Sequence, residues 1–291
     1  MIPRLQRIAL ALALFCAAIP AFAATRAECA SVKSKFLRQT VRYCVLLPAS
    51  YDTDKQRRYP ILYYLHGLFD NEQSALQNGV WNMIENLQQR GQVSEFITVT
   101  PNGGATFYVD ARDGRQPYEQ FFIREFLPAV EKKYRVQAGR GSRGITGISM
   151  GGYGALRLAF KYPQLFGSAS GHSSAIFLKL PPNIRELTGA RNDVLAPIYG
   201  SPYDEKFYDR NSPLALARAN AARIRGMKIY FDCGTEDGYG FFAGTRALDQ
   251  ELTRLKVPHE AHLYPGAHDW TYFAEHLPAS LKFHSKAFGG R

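Results

Sequence analysis

Gly147-Ile148-Ser149-Met150-Gly151, continued by Gly152-Tyr153-Gly154, is the stretch on which the reading of this chain turns. It predicts a strand that enters a sharp turn and leaves as a helix, with Ser149 at the apex. A serine in such a turn sits in a strained backbone conformation with its hydroxyl exposed, and its neighbours must be small for strand and helix to pass. Gly147 and Gly151 meet that need. Upstream, Arg143 to Ile148 is short and β-branched; downstream, Ala155, Leu156, Ala159 and Phe160 recur at helical spacing. Gly-x-Ser-x-Gly also arises by chance, so its meaning as a nucleophile turn depends on what the rest of the chain supplies.

Further apolar runs of strand length are Leu37 to Leu47, Tyr59 to Gly67, Phe96 to Thr100, Gly167 to His172, Met227 to Cys233 and His259 to Tyr264. Helical spacing marks Ser74 to Gln89 through Leu76, Val80, Ile84 and Leu87, and Tyr118 to Tyr134 through Phe122, Phe126 and Val130. Phe242 to Leu255 and Asp269 to Phe288 read as two more helices. Residues 173 to 214 are rich in Pro, Asn, Asp and Tyr and read as a loop-rich excursion over the site. Apolar strands alternating with helices imply an α/β fold, a mostly parallel sheet covered on both faces. Active residues then belong at the carboxyl ends of strands.

A serine hydroxyl becomes a useful nucleophile when a histidine takes its proton and an acid fixes that histidine's tautomer. Six histidines lie downstream of Ser149, namely 172, 259, 262, 268, 276 and 284. His268 stands in Tyr264-Pro265-Gly266-Ala267-His268-Asp269-Trp270, after the last strand and before the last helix, where a base can reach the serine turn. The acid is expected from the end of the preceding strand, Asp232-Cys233-Gly234-Thr235-Glu236-Asp237-Gly238, and Asp237 lies in the loop beyond it. Asp232 and Glu236 read as partners of loop backbone or solvent. The oxyanion of an acyl-transfer intermediate needs two convergent backbone N-H donors. Met150, after the nucleophile, supplies one; Leu68, in His66-Gly67-Leu68-Phe69-Asp70, supplies the other, with His66 hydrogen bonding beneath that loop.

Met1 to Ala23 carries Arg4 and Arg7, an apolar run from Ile8 to Ile19, and the small-residue site Ala21-Phe22-Ala23. This reads as a cleaved signal peptide, which makes the protein secreted or periplasmic, with no stable membrane insertion. Residues 24 to 291 then form one domain of about 268 residues, without linker or repeat. The net charge of +11 falls to +9 once Arg4 and Arg7 leave. The remaining basic clusters are only adjacent pairs, such as Arg57-Arg58 and Lys132-Lys133, set among acidic, polar and apolar residues, so the surface reads as solvated and no nucleic-acid partner is expected. Cys29 and Cys44 invite a disulfide in an oxidising compartment. Cys44 shares its strand face with Arg38, Thr40 and Arg42, which weakens a purely core-filling role. Cys233 ends an apolar strand and reads as a buried free thiol.

Taken together, Tyr64-Leu65-His66-Gly67, Gly147-Ile148-Ser149-Met150-Gly151-Gly152, Cys233-Gly234-Thr235-Glu236-Asp237 and Gly266-Ala267-His268-Asp269-Trp270 resemble the motifs of the esterase D family of α/β-hydrolases. The resemblance runs from about Phe36 to Phe288, and four motifs in order are far more specific than one. That family includes S-formylglutathione hydrolases, feruloyl and acetyl xylan esterases, tributyrin esterases and mycolyltransferases. It implies an α/β-hydrolase fold, with Ser149, Asp237 and His268 as nucleophile, acid and base, and it makes Glu119 a structural residue. The expected activity is a serine carboxylic-ester hydrolase acting through an acyl-enzyme on acetyl, feruloyl or short-chain esters, carbohydrate-linked or small. A signal peptide departs from the cytoplasmic formylglutathione hydrolases. The alternatives are an acyltransferase using the same triad and a non-catalytic exported carbohydrate-binding protein. No cofactor is implied and no metal, for zinc-type Cys/His spacing and a phosphate-binding glycine loop are both missing. Aromatic residues near predicted strand ends, Phe69, Phe107, Tyr108, Phe177, Tyr239, Phe241, Phe242 and Trp270, can hold an aromatic acyl group or a sugar ring. Phe69, His172, Tyr239 and Trp270 are the expected substrate contacts; no oligomeric state is specified.

Overall fold

A computed structural model describes residues 25–290. The signal peptide expected at Met1 to Ala23 lies outside the described residues. Eight strands form one sheet: β1 (Arg26–Lys33), β2 (Thr40–Leu47), β3 (Ile61–Leu65), β4 (Ile97–Pro101), β5 (Arg143–Gly147), β6 (Ser168–His172), β7 (Lys228–Gly234) and β8 (Glu260–Tyr264). Their spatial order is β1-β2-β4-β3-β5-β6-β7-β8. β1 and β2 are antiparallel, as are β2 and β4; every other pairing is parallel. The architecture is the α/β-hydrolase fold.

Alternation along each strand builds two buried layers. Val41, Tyr43, Val45 and Leu47 of β2, with Ile61, Tyr63 and Leu65 of β3, enter the larger core with the helices Met150–Lys161 and Phe241–Arg254. Cys44, Leu46, Leu62 and Tyr64 point the other way, into a core shared with the helices Val80–Gln89 and Trp270–Ala287. β2 starts at Thr40, so Arg38 lies outside the strand; Cys44 shares its face with Arg42 and Thr40 but is fully buried, because only the carboxyl half of β2 runs beneath a helix layer. It is disulfide-bonded to Cys29, which stands directly opposite in the β1–β2 register. β1 carries no apolar run: its residues are exposed or half-buried, the pattern of an edge strand that only pairing reveals.

Three expected elements differ in detail. The helix expected over Ser74 to Gln89 is two, Ser74–Gln77 and Val80–Gln89, because Gly79 adopts a left-handed φ of 75° between them. Leu76 is consequently exposed, whereas Val80, Ile84 and Leu87 are buried. The Tyr118 to Tyr134 helix contains a π-helical stretch, Phe122–Phe126, just before Pro128, which has no N-H for an α-helical bond. The excursion over 173 to 214 holds the short helices Ile184–Thr188, Ala196–Tyr199 and Glu205–Asn211. Segments this short have no stable helical period of their own and depend on tertiary packing. At its end begins the helix Pro213–Ile224, with Ser212 Oγ accepting from the Ala215 N-H and Pro at the first position.

Candidate functional site

β5 delivers Ser149 into the turn with φ 56° and ψ −119°, a region that L residues seldom occupy. The two flanking glycines are required sterically. A Cβ on Gly147 would stand 2.4 Å from the Gly151 carbonyl carbon, and one on Gly151 only 1.9 Å from the Leu65 carbonyl oxygen. Ser149 thus faces the carboxyl ends of β3 and β5 because backbone alone can pass there.

His268, from the loop after β8, places Nε2 3.0 Å from Ser149 Oγ. Its Nδ1 lies 2.7 Å from Asp237 Oδ2, in the loop after β7. With Nδ1-H donating to the carboxylate, Nε2 is left to accept the serine proton. Asp237 is held in turn: Oδ1 accepts the Tyr239 N-H at 2.9 Å, and the Cys233 thiol approaches Oδ2 at 3.6 Å. Cys233 is buried and free, and burial, reinforced by the Asp237 charge, pushes its pKa up to about 12. Edge contacts from Tyr239, Phe241 and Phe273, with centroids 4.7, 5.4 and 5.4 Å from the imidazole, restrict its rotation. Asp232 and Glu236, the neighbouring acids, do not reach His268: Asp232 lies beneath the sheet and Glu236 is exposed.

The Leu68 and Met150 amides both belong to residues lining the cavity, and no backbone acceptor among the described residues takes either. The loop that carries Leu68 is held from beneath. His66, fully buried, donates from Nδ1 to the Gly67 carbonyl at 2.8 Å and accepts the Gly103 N-H on Nε2 at 2.7 Å. Burial lowers its pKa, against the Gly67 hydrogen bond that raises it, so the neutral tautomer holds the peptide leading into Leu68. Tyr108 braces the same loop by donating its hydroxyl to the His66 carbonyl at 3.1 Å.

The cavity over Ser149 measures about 220 Å³. Phe69, Tyr239 and Trp270 line it, together with Phe107, Phe177 and Phe241; Tyr108 and Phe242 do not. His172 is the correction. It has no exposed surface and sits under the site, its imidazole against Asp232 and Ser280, because the side chain of this last β6 residue points toward the terminal helix. Ile184, Leu187, Thr188 and Phe273 line the cavity without having been foreseen. Phe273 had one usable signal, its place in the first turn of the terminal helix beside His268; the other three come from the excursion and had none. Glu119 is buried against Arg157, Lys161 and Tyr162, away from the cavity. Among the described residues no group of His, Cys, Asp and Glu could hold a metal ion, and no helix is long and apolar enough to cross a membrane.

Residues 34–284 match the family profile described as putative esterase. An esterase of Mycobacterium tuberculosis is 31% identical over 244 residues, covering 77% of this chain but 51% of the relative. The chain thus spans about half the length of that relative. An acetyl esterase of Caldicellulosiruptor saccharolyticus is 24% identical over 87% of this chain and 96% of its own. Among solved structures, a ferulic acid esterase superposes with a TM-score of 0.79 at 29% identity, over 91% of this chain and 99% of that one.

Proposed function

The chain belongs to the putative esterase family of α/β-hydrolases, and from that membership we propose that it is a serine carboxylic-ester hydrolase working through an acyl-enzyme on Ser149. The observation that carries the reading is the unbroken hydrogen-bonded line from Ser149 Oγ through His268 to Asp237, opening onto an aromatic cavity. Ser149 Oγ attacks the ester carbonyl while its proton passes to His268 Nε2. Asp237 stabilises the imidazolium, and the Leu68 and Met150 N-H groups receive the oxyanion. Collapse of the tetrahedral intermediate breaks the bond to the alcohol, which leaves with the proton from Nε2. Water, deprotonated by the same nitrogen, then attacks the acyl-enzyme, and the second collapse releases the acid and returns the proton to Ser149.

The cavity walls favour a flat or short acyl group, an aromatic acid or acetate, and the relatives named acetyl esterase and ferulic acid esterase support that choice. We place the mature protein outside the cytoplasm, as a single domain over residues 24 to 291; the leader sequence and the Cys29–Cys44 disulfide support this. The test is hydrolysis of p-nitrophenyl acetate, butyrate and octanoate and of methyl ferulate by the purified protein, with Ser149→Ala alongside. Turnover should vanish in the variant and be strongest on acetate or ferulate. Octanoate as the preferred ester would refute the acyl assignment, and rates that rise with an added sugar acceptor would mark acyl transfer instead.

A further inference from the structure

We propose that His172 is a positioning residue for the nucleophile, and that with Asp232 and Ser280 it forms a buried clamp on the strained backbone of Ser149. The inference rests on the triad reading, since it concerns the same serine.

The face of the sheet toward the terminal helix is apolar under β2 and β3 but polar under β5, β6 and β7. Thr146, Ser168, Ser170, His172 and Asp232 lie there without exposed surface, although aliphatic residues would fill the space at no desolvation cost. Thr146, Ser168 and Ser170 are hydrogen-bonded, as are His172 through Nε2 to Ser280 Oγ at 2.7 Å and Asp232 through Oδ1. His172 Nδ1 stands 2.8 Å from Asp232 Oδ2, an ion-pair contact without hydrogen-bond alignment. The second Asp232 oxygen accepts the Tyr272 hydroxyl at 2.8 Å. The end of β6 is thereby tied sideways to β7 and downward to the terminal helix.

The main chain at the same point grips the nucleophile. The Ser149 N-H donates to the His172 carbonyl at 2.8 Å, and the Ser149 carbonyl accepts the Ala175 N-H at 3.0 Å. Between them, Ser173 N-H donates to the Asp232 carbonyl at 2.8 Å. Both main-chain polar groups of Ser149 are therefore held by residues 172 to 175. A non-glycine residue at φ 56° persists only where its surroundings over-determine it. Side-chain contacts of His172 and Asp232 fix the strand end, the Asp232 carbonyl holds Ser173, and the His172 carbonyl holds Ser149. His172 touches no part of the cavity, so its effect reaches the reaction through Ser149.

Asp232→Asn and Ser280→Ala in the full chain test this, with p-nitrophenyl acetate as substrate. Loss of alignment between Oγ, His268 and the oxyanion donors should lower kcat about tenfold in Asp232→Asn and roughly threefold in Ser280→Ala. KM should stay within about twofold, and the midpoint of the acid limb of kcat/KM should not move. Labelling of Ser149 by a fluorophosphonate should remain stoichiometric but slow by the same factor. A merely structural role would lower Tm and leave kcat per titrated site unchanged; that result in both folded variants overturns the proposal, as does a shifted acid limb, which would mean electrostatic coupling instead. If Asp232→Asn does not fold, Ser280→Ala decides alone. Failure of the triad reading looks different, because Ser149→Ala would then retain turnover.

Discussion

Two histidine–aspartate pairs draw their acids from one stretch of chain, Asp232 on β7 and Asp237 in the loop after it, and only one opens onto the cavity. Asp237 meets His268 at 2.7 Å, and Asp232 meets His172 at 2.8 Å. Each histidine also reaches a serine hydroxyl, Ser149 at 3.0 Å in the first case and Ser280 at 2.7 Å in the second. By residue type and distance the two are near duplicates. They differ in alignment, the Asp237 contact being a hydrogen bond and the Asp232 contact an ion-pair distance alone, and above all in what surrounds the serine. Ser149 stands in a strained turn beside two amides without backbone acceptors and opens onto a cavity. Ser280 lies inside a helix, fully buried, with its Oγ also bonded to the Leu277 carbonyl at 3.1 Å. A triad is thus made by access and by donors aimed at the developing oxyanion, and the three side chains without these are a strut.

The sharpest way to break this comparison is at the acids. Asp237→Asn should lower kcat by about four orders of magnitude with little change in Tm, because the amide leaves His268 in the wrong tautomer. Steady-state kinetics beside a thermal melt check it; more than a tenth of wild-type turnover would erase the distinction between the two pairs.

A second difference concerns protons. Behind the closed pair, His284 is wholly buried between Ser168 and Ser170, at 2.7 and 2.9 Å. Burial, reinforced by the nearby His172 charge, pushes its pKa down from 6.5 to about 3. Below pH 6.5 the unfolded chain binds a proton there that the folded chain refuses until near pH 3, so stability must fall as pH drops through that window. Between pH 6.5 and pH 4, urea unfolding of the wild type should lose on the order of 3 kcal/mol more than His284→Gln does. Equal losses in the two proteins would mean that this imidazole is charged when folded.

The smallest expected effect lies on the open side, where Asp237 leans on a neutral thiol. Cys233→Ala should change kcat/KM by no more than about threefold, since a thiol is a weak donor. In the folded wild type the same thiol, with its pKa near 12, should resist a disulfide reagent until the chain is denatured. Rapid modification of the native protein would show that the loop holding Asp237 opens.

Much of the site could be read along the chain because it is written locally. Ser149, Asp237, His268 and the two amides proposed to receive the oxyanion each sit at a strand end marked by glycine or proline, and the fold repeats that punctuation at each of these positions. Elements with a strong apolar period, such as β3 and the terminal helix, were legible for the same reason. β1 was not, because an edge strand needs only a partner's hydrogen bonds, and its residues show no apolar run. Neither were Ile184, Leu187 and Thr188, whose place over the cavity depends on how a loop-rich segment packs.

His172 marks the boundary between the two kinds of knowledge. The sequence by itself determined the strands with apolar runs and the serine turn, since each follows from short-range sterics and periodicity. Whether a histidine at a strand end faces substrate or the underside of the sheet depends on strand alternation and on which helix covers that face. Those are decided by residues more than a hundred positions away, Ser280 and His284, and only the tertiary structure brings them to β6.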